Sequence, residues 1–194
     1  MLHTLIFDFD GTLADCKRLH QQAFRNAVLA VTPLAEYQDE SVEGKPTTEK
    51  IRWLQAQGYQ FDATELNRLK QLETQLRLPE YIFVDPELIE LINQLNKRFN
   101  LCLATNATAE FIERSLNIME IQDQFDLICT ASTYRPKPST EMFEACMQHT
   151  GSERATTVIF EDSPMGIQCA YASGAQVIEV TGVENTKQEM RRLL

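Results

Sequence analysis

A chain of 194 residues, 43% hydrophobic and 24% charged, can bury one substantial core or a core and a smaller companion unit. It contains no apolar run near the ~18 residues of a membrane span, and Met1-Leu2-His3 lacks the basic region that opens a signal peptide. A formal net charge of −10 disfavours nonspecific nucleic-acid binding, which rests on Lys and Arg neutralising phosphates, but leaves small anionic substrates open where a bound cation reverses the local charge.

The first predicted element is a strand over Leu2–Phe9, ending in "DFDGT". In a strand, side chains two apart share a face, so Asp8 and Asp10 would lie about 6.5–7 Å apart along the chain. Two like charges at a strand end are costly unless a cation or proton intervenes. Taken alone, the pair could equally be two exposed carboxylates in a turn.

From Asp15 to about Pro79 the pattern is helical. "CKRLHQQAFRNAVLAV", "TTEKIRWLQAQG" and "ATELNRLKQLETQLRL" read as amphipathic helices, and no convincing strand appears. This stretch is predicted to be a helical cap over 15–81, inserted into a core of 1–14 plus 82–194. Trp53, at helical spacing from Ile51 and Leu54, is expected in the cap core. Glu43, Gly44 and Lys45 form a polar loop before Pro46.

After Pro79 the chain alternates. Helix patterns over Pro86–Arg98, Ala107–Met119 and Ser139–Gly151 separate strand-like runs at Asn100–Thr105, Phe125–Ala131, Thr156–Phe160 and Gln176–Val180. Ser139 is expected to cap its helix and Gly151 to end it. Lys187–Leu194 reads as a short last helix with its charges on a solvated face. Alternation of this kind predicts an α/β fold, a doubly wound parallel sheet that binds its ligand at the carboxyl ends of the strands.

Three more strand ends carry chemistry. "ATNAT" places Thr105 and Asn106 where a helix N-terminus offers an anion site, although plain capping would use the same residues. "YRPKPST" sets Lys137 between two prolines, a stiff support for a point charge, or simply a surface turn. "VIFEDSPMGI" ends a strand in Glu161 and Asp162 and starts a helix with Ser163 and Pro164, a pattern that the helix dipole could also explain. All four ends fall on one sheet edge. Together they supply oxygen ligands for Mg²⁺ beside cationic and hydroxyl groups for a phosphate.

"DFDGTL", "TN", "RPKP" and "FEDSPMGI", in this order, resemble the four signatures of the haloacid dehalogenase superfamily of phosphotransferases, and the resemblance spans nearly the whole chain. The insertion after the first signature is similar to the cap of the branch containing β-phosphoglucomutase and small sugar phosphatases. Within it, "VEGKPTTEKI" and the compact length look most like the fructose-1-phosphate phosphatase group. The resemblance implies Asp8 as nucleophile forming an aspartyl-phosphate, and Asp10 as general acid and base with its carbonyl on Mg²⁺. It assigns Thr105 and Asn106 to the phosphoryl oxygens, Lys137 to charge neutralisation, and Asp162 with Glu161 to a metal site completed by Asp8. His20 and Lys45 become candidates for substrate contact from the cap. Asp10 argues against dehalogenation, since a departing halide needs no proton.

The implied activity is a Mg²⁺-dependent phosphatase on a small phosphorylated metabolite such as a sugar phosphate. A β-phosphoglucomutase-type isomerase is the alternative, and a noncatalytic module is disfavoured by the intact signatures. Five cysteines with no CxxC pair argue against a disulfide framework or zinc site and for reduced thiols, hence a cytoplasmic protein. No nucleic-acid or membrane partner is expected, and the chain is taken to be a monomer or weak dimer.

Overall fold

A computed structural model describes residues 2–32 and 47–194. The chain divides into two units, one of Met1–Asp15 with Ile82–Leu194 and one of Cys16–Tyr81.

The larger unit is built on five parallel strands: β1 (Thr4–Phe7), β2 (Asn100–Thr105), β3 (Leu127–Thr130), β4 (Thr157–Glu161) and β5 (Gln176–Glu179). Their order is β3-β2-β1-β4-β5. From β1 the chain steps outward to β2 and β3, then returns to the other side of β1 for β4 and β5. The carboxyl end of β1 is therefore the switch point, with the ends of β2 and β4 beside it. Phe7 pairs with Leu103 on one side and with Phe160 on the other. All four β1 residues are buried, as expected for an apolar central strand covered on both faces.

Five helices accompany these strands: α4 (Pro86–Asn96), α5 (Ala109–Ile118), α6 (Glu141–Thr150), α7 (Pro164–Ser173) and α8 (Val183–Leu193). Helix α4 shows how local sequence sets an element. Asp85 caps it, accepting from the N–H groups of Glu87 and Leu88 at 3.0 and 3.1 Å. Pro86 takes the first turn, and Leu88, Leu91, Ile92 and Leu95 are buried at helical spacing.

The smaller unit contains α1 (Lys17–Val31), α2 (Thr47–Ala56) and α3 (Ala63–Tyr81), with no strand among its described residues. Phe24, Ala27, Val28, Ile51, Leu54 and Leu66 form its core, and Trp53 packs against it.

Several expectations need correction. The ladder of β1 stops at Phe7 instead of Phe9, because the chain turns: the N–H groups of Thr12, Leu13 and Ala14 all converge on Phe9 O. Helix α3 continues past Leu78 to Tyr81 with Pro79 in its last turn. Helix α6 starts one residue beyond Thr140, and Ser139 Oγ accepts from Glu141 N at 3.4 Å. Gly151 ends α6 in the left-handed region, as its position suggested.

The last helix differs most. It begins at Val183, and Lys187 does not belong to a solvated face: its side chain is 5% exposed. The ammonium meets Asp85 at 2.9 Å, Glu87 at 3.2 Å and Glu184 at 2.6 Å, so α8 is tied to the capped end of α4. All five cysteines are buried and none is in a disulfide.

Candidate active site

The site grows from the turn after β1. Phe9, between the two aspartates, is fully buried and meets Phe111 of α5 edge-on, with ring centroids 5.9 Å apart. This anchor holds the turn that carries Asp8 and Asp10. Asp8 N still donates to Phe160 O at 3.0 Å, which places Asp8 directly beside the end of β4.

At the end of β4, Glu161 is fully buried. Its Oε2 accepts from both N–H and Oγ of Ser163 at 3.1 Å, and its Oε1 accepts from Lys137 Nζ. Ser163 Oγ in turn accepts from Gly166 N at 3.1 Å, capping α7. Two glycines give the carboxylates room. A methyl group on Gly166 would lie 1.9 Å from Glu161 Oε1. One on Gly11, which sits at φ +82°, would lie 2.0 Å from Asp162 Oδ2.

Lys137, read as a point charge on a proline-braced loop or simply a surface turn residue, is buried, with the Lys137–Pro138 peptide cis. Its Nζ lies 2.7 Å from Asp8 Oδ1 and 5.2 Å from the centre of the Phe143 ring. The pair Asp8–Lys137 joins positions 129 residues apart.

Oxygens of Asp8, Glu161 and Asp162 lie within 4.8 Å of one another. Burial is the first cause that raises Asp8, to about 7; Lys137 opposes the shift, while Glu161 and Asp10 add to it. Burial also raises Asp162 to about 6, helped by Glu161. Burial acts to lower Lys137, but the charges of Asp8 and Glu161 outweigh it and leave the ammonium raised. Fully ionised, these three carboxylates would carry more negative charge than Lys137 offsets. Asp162 Oδ1 is buried with no hydrogen-bond partner among the described residues. Hard carboxylate oxygens, surplus negative charge and an unpartnered buried oxygen fit a divalent cation such as Mg²⁺. Glu161 differs from Asp162 here, since both of its oxygens are already engaged.

Thr105 ends β2 and is buried. Its Oγ1 accepts from Ala107 N at 3.2 Å, so the hydroxyl hydrogen remains to donate. The cap of α5 is Thr108, which accepts from Phe111 N at 3.4 Å, so neither Thr105 nor Asn106 serves as the cap. The Asn106 carboxamide bonds the main chain of Lys137 at 2.7 and 3.1 Å. A cavity of about 830 Å³ opens against Gly11 and Asp162, with Thr181, Asn185 and Gln188 also on its wall.

His20 lies on α1 in the other unit, with Nδ1 3.5 Å from Lys70 Nζ. Lys45, with Glu43 and Gly44, falls outside the described residues. Lys70 was not singled out by sequence reasoning, although a signal existed. Leu66, Lys70, Thr74 and Leu78 recur every fourth residue and all four are buried, so a lysine stands in an otherwise shielded stripe.

Residues 5–180 match the model of the haloacid dehalogenase-like hydrolases. The fructose-1-phosphate phosphatase YqaB of Escherichia coli K12 is 28% identical over 186 residues, covering 91% of this chain and 95% of that one. A phosphorylated carbohydrates phosphatase of Thermotoga maritima is 24% identical, covering all of this chain and 90% of its own. Among solved structures, CbbY from Rhodobacter sphaeroides in complex with phosphate superposes with a TM-score of 0.76 at 22% identity, over 94% of this chain and 87% of that one. A family match over nearly the whole length, on a sheet that gathers the ends of β1, β2 and β4, makes this chain an enzyme that belongs to the haloacid dehalogenase-like hydrolases.

Proposed function

We propose that the chain is a Mg²⁺-dependent phosphomonoester hydrolase acting on small phosphorylated metabolites, sugar phosphates foremost, through an aspartyl-phosphate on Asp8. The observation that carries this reading is Asp8 held at 2.7 Å from a buried Lys137, within reach of Asp162 and Glu161. The names of the two phosphatase relatives support the substrate class.

An Asp8 oxygen attacks phosphorus and the bond to the leaving oxygen breaks. Asp10 donates its proton to that oxygen. Asp10, now a carboxylate, takes a proton from water as the water attacks phosphorus. The Asp8–phosphorus bond breaks and phosphate leaves. Lys137 offsets negative charge on the phosphoryl oxygens, and the Thr105 hydroxyl donates to one of them. Asp8 and Asp162, with the Asp10 carbonyl, would hold the cation, which supplies electrostatic shielding that lets a carboxylate approach a phosphate. Glu161 keeps Lys137 charged and in place.

In this reading 15–81 acts as a cap that closes over bound substrate, with His20 and Lys45 contributing to specificity. The protein works in the cytoplasm as a monomer or weak dimer. Phosphate release from a panel of sugar phosphates, nucleotides and phosphoglycolate, with and without Mg²⁺, tests the reading. Release that depends on Mg²⁺ and favours sugar phosphates supports it. Absence of release from every ester overturns it, and glucose 6-phosphate formed from β-glucose 1-phosphate would replace it with an isomerase.

A further inference from the structure

Lys137 is held at both ends. Its ammonium sits against Asp8 and Glu161. At its main chain, the N–H donates to Asn106 Oδ1 at 2.7 Å and the carbonyl accepts from Asn106 Nδ2 at 3.1 Å. One carboxamide thus pairs with both polar groups of a residue 31 positions later. The orientation of the amide follows directly, because a backbone N–H only donates and a carbonyl only accepts.

Two further bonds join the same loops. Ala131 N donates to Ala107 O at 3.2 Å, and Ala109 N donates to Ser132 Oγ at 3.0 Å. The β2–α5 and β3–α6 loops are thereby stitched together, with Asn106 bonding the backbone of Lys137 itself. A lysine head on a flexible four-carbon stem is located only as well as its backbone is.

We propose that Asn106 is a positioning residue for Lys137 and that its amide does not act as a phosphate ligand. Its consequence for turnover rests on the phosphatase reading above. Asn fits because one short side chain carries a donor and an acceptor. Asp lacks the donor, Ser offers a single atom, and Gln adds a methylene that would push the loops apart.

A double-variant cycle with p-nitrophenyl phosphate and Mg²⁺ tests this. Asn106→Ala should lower kcat about tenfold to a hundredfold, the scale of a misplaced catalytic group. In a Lys137→Ala background the same substitution should have almost no further effect, because the residue it positions is gone. An equal additional loss in that background would mean that the amide touches substrate directly, and would overturn the proposal. A second readout needs no turnover. Amide hydrogen exchange should speed up at Lys137 in metal-free Asn106→Ala, and unchanged protection would also overturn the proposal. If no phosphate ester is hydrolysed by the wild-type protein, the phosphatase reading fails while the exchange result still decides the clamp.

Discussion

Two buried lysines, each surrounded by carboxylates, sit in the same unit and behave differently. Lys187 meets Asp85, Glu87 and Glu184, whose side chains are 32%, 48% and 78% exposed. Water solvates those acids. Hydrogen bonds to Arg191 and Lys187 lower Glu87, and hydrogen bonds to Lys187 and to the α4 backbone outweigh burial to lower Asp85. Lys187 itself is raised, first by its bond to Glu184. Every charge there is comfortable as it stands. Lys137 meets Asp8 and Glu161, which are 10% and 1% exposed. There burial raises Asp8 against the pull of the lysine, and Asp162 adds a further acid. The residue types match, and the depth of the carboxylates separates a structural tie from a site with charge left to use.

The largest effect expected on this contrast is Asp8→Asn. Under the phosphatase reading, turnover should fall by about 10⁴ or more, since the nucleophile is lost. The fold should survive, because the change removes a desolvated charge and keeps the shape. Near-normal Mg²⁺-dependent activity in the purified variant would remove Asp8 from the mechanism.

Gly166→Ala comes next. The added methyl would lie 1.9 Å from Glu161 Oε1, so Glu161 must move and Lys137 loses a partner. We expect about 1–3 kcal/mol of destabilisation, the usual cost of overpacking, with a tenfold or greater loss of kcat. An unchanged kcat would show that Glu161 has no part in placing Lys137.

The third contrast is in pH. Folded Asp8 and Asp162 titrate near 7 and 6, above the ordinary 3.8. A carboxylate raised on folding binds more protons in the native state, so its favourable contribution is complete below about pH 4 and is lost as pH climbs towards 7. Lowered Asp85 and Glu87 act in the opposite sense: their contribution is present above their unfolded pKa and is lost on acidification. Mg²⁺ needs the ionised forms, so the Tm gain on adding Mg²⁺ should be larger at pH 8 than at pH 5. Equal gains at both pH values in thermal melts would place the cation elsewhere.

The smallest effect belongs to Lys187→Met. Its partners are largely solvated, so the ion pairs contribute little, and the apolar replacement keeps the buried stem covered. We expect a loss of about 1 kcal/mol in denaturant titration, with kcat/KM unchanged. A large drop in kcat/KM would mean that the α4–α8 tie reaches the active site.

Much of this was legible in one dimension. Apolar runs bounded by helical periodicity marked all five strands, and Pro86, Gly151, Ser163 and Pro164 announced helix ends through chemistry that reaches only a few residues. The acidic ends of β1 and β4 could be recognised because unpaired like charges at the close of apolar strands are expensive. Local sequence is silent on what depends on distant partners. Lys187 looked solvated, and Lys137 could pass for a turn residue, because nothing within one turn of either reveals the carboxylates contributed by other elements. Nothing near Asn106 in the sequence points to its bond with the Lys137 backbone, 31 residues away.

The sequence by itself determined the alternation of strand and helix, the helices Lys17–Val31, Thr47–Ala56 and Ala63–Tyr81, and which side chains could do chemistry, since these follow from periodicity and from side-chain type. Only the tertiary structure decided which carboxylates are desolvated, which lysine they share, and which amide holds that lysine's backbone. The order β3-β2-β1-β4-β5 brings the ends of β1, β2 and β4 together, and burial is set by the elements packed around a group and not by its neighbours along the chain.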